Sequence, residues 1–218
     1  QEKVLHVNSY VSVIDLKLLM AENDGAETAL FEILKSYGFN SIQVKFIFDS
    51  YLQNKMIGQH FYSAEYEAVL GRDKLELFKQ VNNSYQGNDL LYVDLFTLLK
   101  EDSKQIPLKV RLMSNVKDVL SGVDGRNIII LNKQILSTHP VLTLRKWEKG
   151  DRIKPFGMRG SKLISDLFTD AKYLESQKRN TLLLCAGNDV LWVLGLRASR
   201  LFSIDKNDDE LIRIEYNG

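Results

Sequence analysis

The spacing of apolar residues changes at Gly58, and that change constrains what the chain can fold into. Before it, apolar residues recur at helical intervals. The stretch GAETALFEILKSY (25–37) places Ala29, Leu30, Ile33 and Leu34 on one helical face and stops at Gly38, suited to the left-handed turn that ends helices. Residues 12–20 are rich in Leu, Ile and Val. Ser41 reads as the N-cap of a third helix carrying Ile42, Val44, Phe46, Ile47 and Tyr51 and closed by Gly58. Its β-branched content suits a strand equally, but the cap and the length favour a helix, so the first sixty residues are expected to be helical.

From Gln59 the runs are short and β-leaning. Residues 60–62, 66–70, 75–78, 90–96 and 108–113 are separated by Gly, Asn and Asp, with Gly71-Arg72-Asp73 as a turn signal. Ser121-Gly122-Val123-Asp124-Gly125 precedes a strand over 127–131, and His139-Pro140 breaks the chain, since the residue before proline is pushed out of the helical region. A boundary is expected within 114–139, giving one domain over 1–130 and a second over 131–218. The second reads as a strand over 141–147, a dense loop over 148–160, a helix over 161–170, and strands over 181–186, 190–196 and 211–216, with Asn188-Asp189 as a hairpin turn. The expected class is α+β: a helical start and short strands, then a small α+β domain with a mainly antiparallel sheet.

The formal net charge of the 218 residues is only +1, but it is segregated. Residues 141–202 carry twelve Lys/Arg against six Asp/Glu, while the flanking parts are mildly acidic. A basic segment in a neutral chain fits either a phosphate-backbone binder or a solvated face. The basic residues converge on the loop: Arg145, Lys146, Lys149, Arg152, Lys154, Arg159 and Lys162 interleave with Gly150, Asp151, Pro155, Gly157 and Gly160. Glycines let backbone N–H groups approach an anion closely, and a helix starting near Ser161 would add its N-terminal partial charge. Arg forks onto phosphate oxygens and Lys supplies a point charge. Trp147, Phe156 and Trp192 can stack a base, although Trp192, within LWVLGL, reads as core. Asp151 reads as a carboxylate that orients the Arg152 guanidinium or caps a turn.

Other chemistries find little support. His6, His60 and His139 are scattered without metal-ligand spacing, so no metal site and no catalytic residue is expected. There is no G-x-S-x-G elbow and no phosphate-binding P-loop. Cys185, the one cysteine, lies in an apolar run and reads as a small core residue, compatible with a reducing cytoplasm. No apolar stretch reaches the roughly 20 residues that span a bilayer, so no membrane association is expected. The chain lacks an initial Met and runs directly into structured-looking sequence, so it is expected to be part of a longer protein.

The run G-D-R-x-x-P-x-G-x-x-G-x-K (Gly150, Asp151, Arg152, Pro155, Gly157, Gly160, Lys162) is followed by Ser165, Asp166, Phe168, Asp170 and Lys172, then by Trp192, Gly195 and Arg197. In order and spacing it resembles the C-terminal domain of tRNA(Ile)-lysidine synthetases. Upstream, L-x-x-Y-G-F-x-x-x-Q (Leu34 to Gln43) and F-Y-S-A-E-Y (Phe61 to Tyr66) are similar to that family's middle, substrate-recognition domain. The resemblance implies part of a ligase that uses ATP and free lysine to convert the wobble cytidine of tRNA(Ile) with a CAU anticodon to lysidine. It places ATP, with Mg, in an N-terminal PP-loop domain marked by S-G-G-x-D-S, which this chain lacks; Ser121–Gly125 reads as a turn instead. This portion is then expected to hold the tRNA body, chiefly the acceptor stem, to be inactive alone, and to bind no cofactor. The tRNA contacts it implies are Arg145, Arg152, Lys154, Arg159, Lys162, Lys172 and Arg197, with Gly150, Asp151, Pro155, Gly157 and Gly160 shaping the loop. Two departures stand out: Lys172 is followed by Tyr173-Leu174 where the family usually has proline, and its paired lysines appear here as Lys162-Leu163. The expected partners are the tRNA, the chain's own PP-loop domain and, as an alternative reading, a second copy, with this region a scaffold or dimerisation module.

Overall fold

The computed structural model describes residues 4–8, 11–21, 25–80, 90–102, 106–114, 123–201, 204 and 210–217. It divides into two compact units, residues 1–86 with 174–177, and residues 87–173 with 178–218.

In the first unit, strands β1 (Val4–Asn8) and β2 (Val11–Asp15) precede helices α1 (Leu16–Ala21), α2 (Ala26–Lys35) and α3 (Ser41–Leu52). Strands β3 (His60–Tyr62), β4 (Tyr66–Leu70) and β5 (Lys74–Lys79) complete an antiparallel sheet in the order β1-β2-β5-β4-β3. The expectation of an all-helical start is corrected here. Alternation decides it: Val11 and Val13 face one side of the sheet with Val69 and Phe78, while Ile14 faces the other, where it packs with Leu30, Leu34, Val44 and Ile47 of the helices. A helix would set Val11 and Val13 on nearly opposite sides and bring Ile14 round beside Val11.

Helix α3 is capped by Asn40 rather than Ser41. The Asn40 side chain accepts the Gln43 N–H at 2.9 Å and the Gln43 side chain accepts the Asn40 N–H at 3.1 Å, so two otherwise unpaired donors are satisfied reciprocally. Replacing Asn40 with Ala is expected to lower the stability of this unit by about 1 kcal/mol, read as a shifted urea midpoint. The helix ends at Leu52, before Gly58.

The second unit holds β6 (Leu91–Asp94), α4 (Leu95–Lys100), β7 (Leu108–Met113), β8 (Ile128–Asn132), α5 (Ile135–Thr138), β9 (Val141–Lys146), β10 (Arg152–Ile153), β11 (Lys162–Leu163) and α6 (Ile164–Asp170). Helix α7 (Glu175–Asn180) is followed by β12 (Leu182–Ala186), β13 (Asp189–Val193), β14 (Arg197–Ala198) and β15 (Leu211–Tyr216). One sheet runs β11-β10-β13-β12-β9-β6, with β14 on β13, and a second runs β7-β15-β8. All of these pairs are antiparallel except β10 with β13.

The core lies between the two sheets, where Val110, Ile129, Leu131, Ile212 and Ile214 meet Leu142, Leu144, Leu184 and Trp192. On the far face of the larger sheet, Ile164 and Phe168 of α6 cover Ile153, Leu183, Cys185 and Val193. The register shifts between Leu184 and Cys185, opposite Trp192 and Val190, so both Leu191 and Trp192 join the inter-sheet core.

The boundary expected within 114–139 does not coincide with the division at 86/87. β6 pairs with β9 from Leu91↔Leu144 to Asp94↔Val141, and β7 pairs with β15 across about a hundred residues of chain. Such long-range pairing has no local sequence signal, whereas the His139-Pro140 break does. The single strand expected over 90–96 is also split, because Asp94 ends β6 and caps α4 by accepting the Phe96 N–H at 2.9 Å.

Candidate nucleic-acid interface

The basic loop leaves the larger sheet at the end of β9 and returns through the short hairpin β10–β11. Its first bend is closed by Asp151, which accepts the Glu148 N–H at 2.7 Å while its own N–H donates to Glu148 O at 3.1 Å. Gly150, at φ 101°, supplies the left-handed residue this bend requires. Across the bend, the Arg145 guanidinium donates both ends of its fork to the Asp151 carboxylate, at 2.8 Å each. Burial alone would raise the Asp151 carboxyl, but its hydrogen bonds and the Arg145 charge hold it below the ordinary carboxylate value. The carboxylate thus orients Arg145 and caps a turn; the pairing expected with Arg152 is not made.

Arg152 instead donates from Nε to Ser161 Oγ at 2.9 Å and from Nη2 to Ser161 O at 3.1 Å, tying the two ends of the hairpin loop. Lys154 Nζ lies 3.1 Å from an Asp189 carboxylate oxygen, Lys162 pairs with Asp170, and Arg197 Nη2 donates to Phe156 O at 3.2 Å. Lys172 ends α6 in the left-handed region, at φ 55°, where its N–H donates to Thr169 O. A Lys172→Gly variant is expected to be at least as stable as the parent, by up to about 1 kcal/mol, because glycine carries no Cβ penalty there. Thermal denaturation of the two proteins checks this.

The helix expected over 161–170 begins only at Ile164, after β11, and the Ile164 N–H donates to Asp151 O at 2.9 Å. The first N–H of α6 thus extends the β10–β11 ladder by one bond, to Asp151 at the base of the loop. Between Lys154 and Ser161, Pro155 bridges to Ser199, Gly157 and Gly160 take φ of 80° and 86°, and the tip exposes Phe156, Met158 and Arg159. Arg159 makes no hydrogen bond or ion pair among the described residues, and Lys146 and Lys149 are likewise exposed. Behind the loop, a cavity of about 330 Å³ is lined by Arg152 and Lys154 but also by Asp151 and Asp189. Two carboxylates offset the two cations there, whereas Arg159 at the outer rim has no such partner among the described residues.

Sequence reasoning missed Ser161 and Asp189 as anchors, since neither has a local pattern that pairs it with a cation. Trp147 packs edge-on against Phe168 at 5.0 Å, Trp192 is fully buried, and Phe156 alone of the three aromatics stands clear. Burial pushes the Cys185 thiol up to about 11, which suits a core residue and not a nucleophile. Among the described residues, no three His, Cys, Asp or Glu side chains converge as metal ligands, and no helix is long and apolar enough to cross a membrane.

Two family models match the chain, the TilS substrate binding domain over residues 8–80 and the TilS C-terminal domain over residues 142–216. A tRNA(Ile)-lysidine synthase of Parabacteroides distasonis is 31% identical over 196 residues, covering 88% of this chain and 42% of the relative. One of Bacteroides thetaiotaomicron is 32% identical over 193 residues, covering 88% and 40%. A crystal structure of a TilS C-terminal domain aligns with 52% of this chain and 88% of that chain, at 19% identity and a TM-score of 0.45. The chain belongs to the tRNA(Ile)-lysidine synthetase family, as a portion with its substrate-binding and C-terminal domains. It spans about two fifths of the length of these curated relatives.

Proposed function

We propose that this chain is the tRNA-holding portion of a tRNA(Ile)-lysidine synthetase, gripping the acceptor stem of tRNA(Ile) with a CAU anticodon while a PP-loop domain carries out the chemistry with ATP, Mg and lysine. The observation that carries the reading is the loop between β9 and α6, whose outer rim exposes Arg159, Lys146 and Lys149 with Glu148 as the one carboxylate among them, inside a region that matches the family's C-terminal domain. Cations on a rim suit the regular phosphates of a stem, recognised by shape and backbone rather than by base edges. Arg152, Lys154, Lys162, Lys172 and Arg197 complete the proposed set of contacts. Arg145, held by Asp151, supports the loop from within. The setting is the cytoplasm.

The test is binding of the chain to tRNA(Ile), to its isolated acceptor stem and to its anticodon arm at two salt concentrations. Affinity that follows the acceptor stem and falls steeply with salt is expected. Binding that follows the anticodon arm, or that ignores salt, would sink the reading. With ATP, lysine and tRNA the chain alone is expected to yield no lysidine, because it carries no S-G-G-x-D-S motif. A scaffold role, in which the first unit docks a PP-loop domain or a second copy, is compatible with the near-neutral charge of residues 1–140.

A further inference from the structure

A second cavity, of about 370 Å³, opens at one edge of the second unit, where the two sheets part between β8 and β14. Val123, Ile129, Leu131, Leu191 and Ala198 give it an apolar lining, and Phe156 and Arg197 also line it. Phe156 is 64% exposed, and it belongs to the basic loop.

The backbone of β8 adds a polar feature to this apolar space. Hydrogen bonding alternates along an antiparallel pair, so successive residues turn their N–H and C=O groups toward the partner and away from it. The Tyr216 N–H donates to Asn127 O at 2.8 Å, and Tyr216 stands opposite Asn127 in the register that pairs Ile214 with Ile129 and Ile212 with Leu131. Those residues therefore face β15, and Ile128 and Ile130 turn their backbone groups to the open edge. At Ile128 both groups are used, the N–H by the Asp124 carboxylate at 3.1 Å and the C=O by the Gly125 N–H at 3.1 Å. At Ile130 the donor and the acceptor find no partner among the described residues, and Ile130 lines the cavity.

We propose that this cavity takes one unpaired nucleobase of the bound RNA, with the base stacked on Phe156, its hydrogen-bonding edge on the Ile130 N–H and C=O, and the adjoining phosphate near Arg197. The proposal rests on the tRNA-holding reading and adds a single-stranded contact to it. An adjacent donor and acceptor match the edge of a base, and aromatic stacking tolerates any base. An added peptide strand suits the edge less well, because strand addition needs several successive free rungs and the Asp124 turn already occupies the one at Ile128.

The experiment compares two RNA hairpins with the same stem, one blunt and one with a four-nucleotide single-stranded 3′ extension carrying 2-aminopurine. The extended hairpin is expected to bind about tenfold more tightly at equal salt, with a change in 2-aminopurine emission. Phe156→Ala, at an exposed position, should bring its affinity down to that of the blunt stem. Ile130→Pro removes the edge-facing N–H while sparing the ladder bonds to β15, and should reduce the same advantage, provided circular dichroism matches the parent. Equal affinity for the two hairpins overturns the nucleobase site and leaves the grip on the stem standing. An unchanged advantage in Phe156→Ala overturns the site, as does displacement of the extension by a short extended peptide. Failure to bind either hairpin overturns both readings.

Discussion

Replacing Asp151 with Asn is expected to lower the stability of the second unit by about 2 kcal/mol, among the larger effects available to a single isosteric change. The Arg145 and Asp151 side chains retain only 24% and 15% of their exposure, and the pair is bidentate at 2.8 Å. Removing the carboxylate charge leaves a half-buried guanidinium with a single amide oxygen in place of two anionic ones. Fully buried pairs cost about 3–5 kcal/mol when broken in this way, and the residual solvent access here reduces that. The pH dependence has a definite sign. Asp151 is held below its unfolded value, so its contribution is complete above roughly pH 4 and is lost as the pH falls through the folded value. The gap between parent and variant should be full at pH 7 and should narrow in acid, as read from urea midpoints across pH. A gap that is constant with pH would mean that the pair acts through shape and not through charge.

Converting Lys154 and Arg159 together to Ala is expected to weaken binding to the acceptor stem about tenfold and to reduce the steepness of the salt dependence by about one to two phosphate contacts, since Asp189 shares the Lys154 charge. Neither residue holds the core: Lys154 reaches Asp189 at the surface and Arg159 has no internal partner among the described residues. The variant should therefore melt with the parent, which separates lost contacts from lost folding. Arg152 is a poorer choice, because its two bonds to Ser161 tie the loop and its loss confuses the two effects. An unaltered salt slope in a weakened variant would show that these cations act on something other than phosphates.

The strands over 60–62, 66–70 and 211–216 were legible because alternation and flanking turn residues are local signals. The run of fixed residue types from Gly150 to Arg197 was legible as a family pattern, and its glycines do sit at bends with positive φ. The opening hairpin was not legible, since VSVIDLKLLM supports a helix until the sheet partners of Val11 and Val13 are known. The role of Asp151 was half legible: a capping carboxylate follows from its place in a turn, but its Arg145 partner lies on the preceding strand, six residues back. The Ile130 edge could not be read at all, because which way a backbone group faces depends on the parity of a ladder with a strand more than eighty residues away.

Both tryptophans of the chain lie in the second unit, Trp192 sealed between the sheets and edge-on to Tyr216, and Trp147 half-buried beneath the loop. The first unit has tyrosines and phenylalanines but no indole. Excitation at the red edge of aromatic absorption therefore follows the C-terminal half alone, while far-ultraviolet dichroism sums both halves. Superimposed denaturation curves from the two signals would mean that the halves melt as one; separated curves would give each its own midpoint without cutting the chain.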